Sequence, residues 1–145
     1  MKIGHIVQVS GPVVDVEFAG GHLPKIRTAL TVQLNGKDQV MEVAQHIGDD
    51  TVRCIMLSGS EGLARGMEVS SSDKTIEVPV GEITLGRMFN VLGRPIDGGD
   101  PLPADAPRSS IYRKPPSFED QSPVVQVLET GIKVIDLLEP YPKGG

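Results

Sequence analysis

Three histidines and one cysteine are the residues of this chain best suited to bind a metal ion or act as a nucleophile. His5, His22 and His46 are far apart and show no zinc-ligand spacing, so we interpret them as ordinary strand and loop residues. Cys54 lies in a stretch of alternating apolar residues, which favours a small buried side chain over a reactive thiol. The sequence therefore predicts neither a metal site nor a cysteine nucleophile.

Four Gly-containing segments resemble ion-binding loops, but each lacks part of the pattern. Residues 97–100 (Asp-Gly-Gly-Asp) lack the alternating oxygen ligands and distal glutamate of a calcium loop and are predicted to form a turn. Residues 58–62 are rich in Gly and Ser, like a phosphate-binding loop, but contain no lysine. The pairs Gly86-Arg87 and Gly93-Arg94 could place guanidinium groups near phosphate; surface or interface ion pairs are predicted instead.

No phosphate-binding loop of the GxxxxGK[ST] type occurs in the sequence. The single Gly-Lys pair, Gly36-Lys37, is followed by Asp38 and lies between two apolar stretches. We therefore predict no catalytic, nucleotide-binding or metal-binding residue, and no bound cofactor, within these 145 residues. A formal charge of −5 and a scarcity of aromatic residues also disfavour nucleic acid as a partner, because such binding needs clustered cations and stacking surfaces.

The sequence also indicates in which cellular compartment the chain is found. No stretch approaches the roughly 20 apolar residues of a membrane helix, and the amino-terminal residues lack a signal-peptide cleavage site. Cys54 is the only cysteine, so an intramolecular disulfide is excluded. We expect a soluble, intracellular chain that does not insert into a membrane.

The elements that position these residues are predicted to be short strands up to about residue 80. Apolar and polar residues alternate in six stretches, which is typical of strands with one buried face: 3–9, 14–18, 30–34, 41–43, 51–56 and 75–80. Asn35-Gly36 favours a tight hairpin between two of them, because both residues tolerate positive φ angles. Since no helix is available to cover the apolar faces, residues 1–80 are predicted to form a closed six-stranded barrel, with a two-sheet sandwich as the alternative.

Residues 81–145 show a different pattern and are predicted to form a second region, irregular and partly helical. Apolar residues at helical spacing predict a helix over 84–92, ended by Gly93. The seven prolines of residues 95–123 predict an extended ribbon, since each lacks a backbone donor. Thr130 is predicted to cap a short helix over 131–138.

Several stretches of the sequence resemble the catalytic beta subunits of rotary proton-translocating ATP synthases. They are collinear and run through the whole chain: GHIVQVSGPVVDVEF (4–18), LPKIRTAL (23–30), RGMEV (65–69), VPVGEITLGRMFNVLGRPID (78–97), PPSFEDQSP (115–123) and ETGIKVIDLLEPYPKGG (129–145). The last two stretches favour beta over the non-catalytic alpha subunit. Vacuolar-type, flagellar and termination-factor ATPases are the less similar alternatives.

The resemblance implies that residues 1–80 are the barrel that joins alternating alpha and beta subunits into a hexameric collar around a central stalk. It implies that residues 81–145 begin a P-loop α/β nucleotide-binding domain whose phosphate-binding lysine, magnesium-binding threonine and catalytic glutamate follow residue 145. The resembling parent makes ATP from ADP and phosphate with Mg²⁺ and a proton gradient, as a peripheral complex on the cytoplasmic face of the bacterial plasma membrane. We expect this N-terminal part to hold the collar without the catalytic site and to be inactive alone. A free-standing, OB-like binding module is the alternative.

Overall fold

The computed structural model describes residues 2–120 and 124–144. They fall into two compact units, Met1–Arg113 and Lys114–Gly145. Six strands of the first unit form a closed barrel in the order β1-β2-β5-β4-β3-β6, with every neighbouring pair antiparallel. The strands are β1 (Lys2–Ser10), β2 (Val13–Glu17), β3 (Thr28–Leu34), β4 (Lys37–His46), β5 (Thr51–Met56) and β6 (Glu68–Thr75). The prediction of a mainly β chain with a closed six-stranded barrel is confirmed.

The barrel interior is filled mainly by apolar side chains that alternate with outward-facing residues along the strands. Because the barrel is closed, no strand edge is left for pairing with another chain. Each fully buried aliphatic or aromatic side chain contributes about 1.5–3 kcal/mol of transfer free energy. The buried cluster consists of Ile6, Val14, Val16, Phe18, Leu30, Val32, Met41, Val43, Val52, Cys54, Met56 and Val69.

The hairpin between β3 and β4 forms where Asn35-Gly36 predicts it. Leu34 pairs with Lys37, and the two residues between them have φ angles of 52° and 74°. Positive φ at both central residues matches the right-handed twist of the flanking strands.

The sixth barrel strand is β6 and not the alternating stretch 75–80, so that part of the prediction is wrong. Strand β6 has the sequence EVSSSDKT, in which Val69 and Ser71 are the buried side chains. The Ser71 hydroxyl accepts a hydrogen bond from the Asp73 backbone N–H, which lets a polar side chain occupy the interior. The apolar alternation of 75–80 instead belongs to β7 (Glu77–Pro79), which pairs outside the barrel with β8 (Arg108–Ser110).

The helix predicted over 84–92 does not form; the structure has a single 3₁₀ turn there, Glu82–Thr84. Gly86 leaves the helical region with a φ of 69°, and the side-chain oxygen of Asn90 accepts hydrogen bonds from the backbone of Leu92 and Arg94. A side chain that bonds the backbone in this way competes with the helical ladder. We call residues 82–97 the apolar loop.

The second unit contains a 3₁₀ turn (Phe118–Asp120), β9 (Val127–Leu128), α1 (Lys133–Leu138) and β10 (Tyr141–Pro142), which pairs with β9. The predicted helix is confirmed but begins later, and Thr130 does not cap it. Instead, the Thr130 hydroxyl and backbone N–H and the Gly131 N–H donate to the Asp136 carboxylate, lowering the pKa of Asp136.

The proline-rich stretch is irregular apart from β8 and the turn Phe118–Asp120, as far as the structure describes it. Its last three residues, 121–123, lie outside the described residues. Within residues 2–120 and 124–144, no helix has the length and apolar character needed to cross a membrane.

Candidate interaction surface

The three histidines lie at separate places in the first unit. His5 is exposed on β1; His22 Nδ1 lies 2.8 Å from the Gly20 carbonyl oxygen, and His46 Nε2 lies 2.7 Å from that of Pro24. In the part of the chain that the structure describes, no three His, Cys, Asp or Glu side chains are grouped so as to hold a metal ion.

Cys54 is fully buried in the barrel core, as predicted. Burial and the negative charge of Asp15 raise the pKa of its thiol to about 12. A thiol with so high a pKa stays protonated at neutral pH and is a poor nucleophile.

An ion pair between Arg87 and Asp97 closes the apolar loop. Arg87 Nε lies 2.5 Å from Asp97 Oδ2, and Nη2 donates to Asp97 Oδ1 at 3.0 Å and to the Asp100 carbonyl oxygen at 2.8 Å. The Asp97 carboxylate also accepts hydrogen bonds from the backbone N–H groups of Met88 and Gly99. The hydrogen bond from Arg87, followed by these two backbone bonds, holds the pKa of Asp97 far below its usual range. The prediction of an ion pair at Arg87 is therefore confirmed, and the chain bends at residues 97–99, where a turn was predicted. Arg94, for which an ion pair was also predicted, forms none with the residues that the structure describes.

The apolar loop presents large apolar side chains to solvent. Apolar side chains grouped on one exposed segment are typical of interaction sites. The sequence pattern placed two of these residues, Leu85 and Met88, on one face of a helix, and their exposure follows from the loop conformation. The side chains, with their exposed fractions, are Leu85 (75%), Met88 (62%), Val91 (65%) and Ile96 (58%).

On the outer wall of the barrel, Asp15 of β2 pairs with Arg53 of β5. The two residues are directly opposed, and Arg53 Nε and Nη2 donate to the carboxylate oxygens at 2.8 and 2.9 Å. The Asp15 side chain is 7% exposed and that of Arg53 is 43% exposed. Hydrogen bonding from Arg53 lowers the pKa of Asp15 below its ordinary value. The alternation placed both residues on the outer face, but only the structure shows that they are paired.

This pairing predicts a pH dependence of stability. Because the folded-state pKa of Asp15 is lowered, its contribution is present above the unfolded pKa of about 4 and is lost as the pH falls through the folded-state value. We expect Asp15→Asn to lower the free energy of unfolding by about 1 kcal/mol at pH 7. The expected loss is small because the Arg53 guanidinium is partly exposed, and solvent therefore weakens the ion pair. Urea unfolding should show this difference shrinking between pH 5 and pH 2. A difference that is independent of pH would contradict the assignment.

A second polar contact attaches the end of the first unit to the barrel. Tyr112 Oη lies 2.6 Å from both carboxylate oxygens of Glu42 on β4, and the guanidinium carbon of Arg27 lies 4.5 Å from the centre of the tyrosine ring. The Glu42 carboxylate raises the pKa of Tyr112, so the phenol stays protonated and donates the hydrogen bond. No sequence signal links these three residues, which come from distant parts of the chain.

Replacing Tyr112 with phenylalanine should remove the hydrogen bond and keep the ring over Arg27. We expect a loss of about 0.5–1 kcal/mol in unfolding free energy, with faster hydrogen exchange at Ile111, whose N–H donates to Ile76. Tyr141→Phe, in the second unit, is the matched control and should leave exchange at Ile111 unchanged. Equal exchange rates in wild type and Tyr112→Phe would refute the attachment.

The barrel is the part of the chain that matches a known protein family. Residues 6–73 match the family model described as the ATP synthase alpha/beta family, beta-barrel domain. The match begins in β1 and ends in β6, so it contains strands β2 to β5 entirely. It does not extend to the apolar loop or to the second unit.

Proposed function

We propose that the barrel of this chain, which matches the beta-barrel domain of the ATP synthase alpha/beta family over residues 6–73, packs against the barrels of related subunits in the ring of a rotary ATPase. We further propose that this chain is of the beta type and belongs to a proton-translocating ATP synthase. It is supported by the beta-like stretches at 115–123 and 129–145. Such a complex is peripheral and lies on the cytoplasmic face of the bacterial plasma membrane.

The construction of the barrel supports a role in assembly. A domain of about 80 residues rarely gains more than about 3–5 kcal/mol from its own core, so contacts with neighbours add substantially to its stability. Apolar side chains also lie on its outer wall: Ile3 on β1 is 52% exposed and Ile55 on β5 is 47% exposed. Both would be covered in a side-by-side arrangement of barrels.

We propose that the remaining residues connect the barrel to a nucleotide-binding domain. Side chains of the second unit are strongly exposed, among them Phe118 (88%), Leu137 (75%) and Leu138 (72%). Packing against the sheet of an α/β domain would bury them. ATP and Mg²⁺ would bind in that domain, and a central stalk would act on it.

The ring proposal is tested by mixing the chain with the alpha subunit of a rotary ATP synthase and measuring sedimentation velocity. We expect a species heavier than either component, and the variant Ile3→Asp/Ile55→Asp should weaken the association about tenfold, because a charge would be buried at the contact. Ile47→Asp, in the turn between β4 and β5, is the control and should associate like wild type. A mixture that sediments as two separate components would reject the proposal.

We also propose that these 145 residues do not by themselves bind Mg-ATP, since they lack the lysine and backbone cradle of a P-loop. Titration calorimetry of the chain with Mg-ATP at micromolar concentrations should give only heats of dilution. A saturable heat at micromolar concentrations would show that this part of the proposal is wrong.

A further inference from the structure

Three cationic side chains line one cavity of about 350 Å³ in the first unit. Lys74 comes from β6, Arg94 from the apolar loop and Arg108 from β8. Glu77 is the single carboxylate that lines the cavity. Among the residues that the structure describes, none of the three cations forms an ion pair. The lining therefore carries a formal excess of two positive charges.

This excess is notable because the chain as a whole is acidic, with 14 Lys and Arg against 19 Asp and Glu. The three cations are separated in the sequence and come together only when β7 and β8 pair beside the barrel. Arg108 Nη1 lies 3.4 Å from the main-chain oxygen of Glu77, which orients the guanidinium at the cavity wall. Cations with no acidic partner in a concave surface raise the local concentration of anions.

The lining also supplies neutral hydrogen-bond donors. Three residues that carry hydroxyl groups line the cavity: Thr31, Ser72 and Thr75. The Thr75 hydroxyl oxygen lies 2.7 Å from that of Ser110. Arginine offers a planar fork and lysine a compact charge, a combination that suits phosphate oxygens. One water molecule occupies about 30 Å³ in the liquid, so the cavity has room for an anion of several heavy atoms.

We propose that this cavity is a binding site for a phosphate-bearing anion of diphosphate size. Because its three cations are exposed, the anion is expected to bind at about millimolar concentration, above the micromolar range at which binding of Mg-ATP is tested. The site lies beside the barrel and is independent of any P-loop, and its existence does not depend on the beta-subunit assignment.

The test is a titration of the chain with inorganic pyrophosphate at constant ionic strength, followed by amide chemical shifts. We expect saturable shifts at Ile76, Glu77 and Arg94. The variant Lys74→Gln/Arg94→Gln/Arg108→Gln should weaken binding at least tenfold, and each single change about threefold, as expected for exposed charge contacts. Glu77→Gln removes the opposing charge and should tighten binding about threefold, an effect that a merely structural role would not produce.

The matched control is Lys25→Gln/Lys37→Gln/Arg65→Gln, which removes the same charge from residues outside the cavity. It should bind pyrophosphate within twofold of wild type. Equal weakening in both triple variants would show non-specific attraction and overturn the proposal, as would shifts that never saturate. Citrate tests the ligand class: binding as tight as that of pyrophosphate would reject phosphate recognition. If the cavity triple variant unfolds, the three single variants and Glu77→Gln decide the question.

Discussion

Replacing Phe18 with alanine is expected to lower the free energy of unfolding by about 3–5 kcal/mol and to leave the barrel largely unfolded. Phe18 is the largest of the fully buried side chains, at 2% exposure, and is the only aromatic member of the core cluster. Because the six strands are joined in a closed ladder of hydrogen bonds, they cannot move inward to fill the cavity without breaking that ladder. A loss of this size equals the whole stability that a domain of about 80 residues usually has.

Urea unfolding followed by far-UV circular dichroism measures this effect. Phe118→Ala is the matched control, because Phe118 lies in the second unit and is 88% exposed. It should change the unfolding free energy by less than about 0.5 kcal/mol. A Phe18→Ala variant that unfolds at the same urea concentration as Phe118→Ala would show that the ring does not support the barrel.

Replacing Gly4 with alanine should be the most damaging single-methyl addition to the barrel. The added Cβ atom would lie 2.7 Å from the Glu17 carbonyl oxygen and 2.9 Å from both Phe18 Cε1 and Val16 Cγ1. The closest of these atoms is backbone and cannot rotate away, so β1 and β2 would have to separate. Overpacking of this kind costs about 1–3 kcal/mol, and Gly4→Val should cost more.

Gly48→Ala is the control for this substitution. Its added Cβ atom has no contact closer than 3.9 Å, so it should leave the urea midpoint nearly unchanged. The clash with Phe18 also predicts coupling: Gly4→Ala should cost less in a Phe18→Leu background, where the contacting ring atom is absent. Additive effects of the two substitutions, or equal midpoints for the alanine variants at Gly4 and Gly48, would contradict the packing described here.

The sequence was a good guide to five of the six barrel strands because their inward positions are apolar and alternate with polar ones. It was a poor guide to β6, whose buried Ser71 carries no hydrophobic signal and is accommodated only through its hydrogen bond to Asp73. It was misleading at 84–92, where spacing suited a helix. There, Gly86 and the side-chain bonds of Asn90 and Asp97 favour a loop instead.

Local patterns thus determined five of the barrel strands, the hairpin at Asn35-Gly36 and the burial of Cys54, since each depends on residues that are close in the sequence. Closure of the barrel also required the pairing of β1 with β6, which are distant in the sequence. Tertiary structure alone decided the Asp15–Arg53 and Tyr112–Glu42 contacts. It also decided the gathering of Lys74, Arg94 and Arg108 around one cavity. The physical reason is that a charged or polar side chain has no periodic signature, and its partner is set by which strands pair when the chain closes on itself.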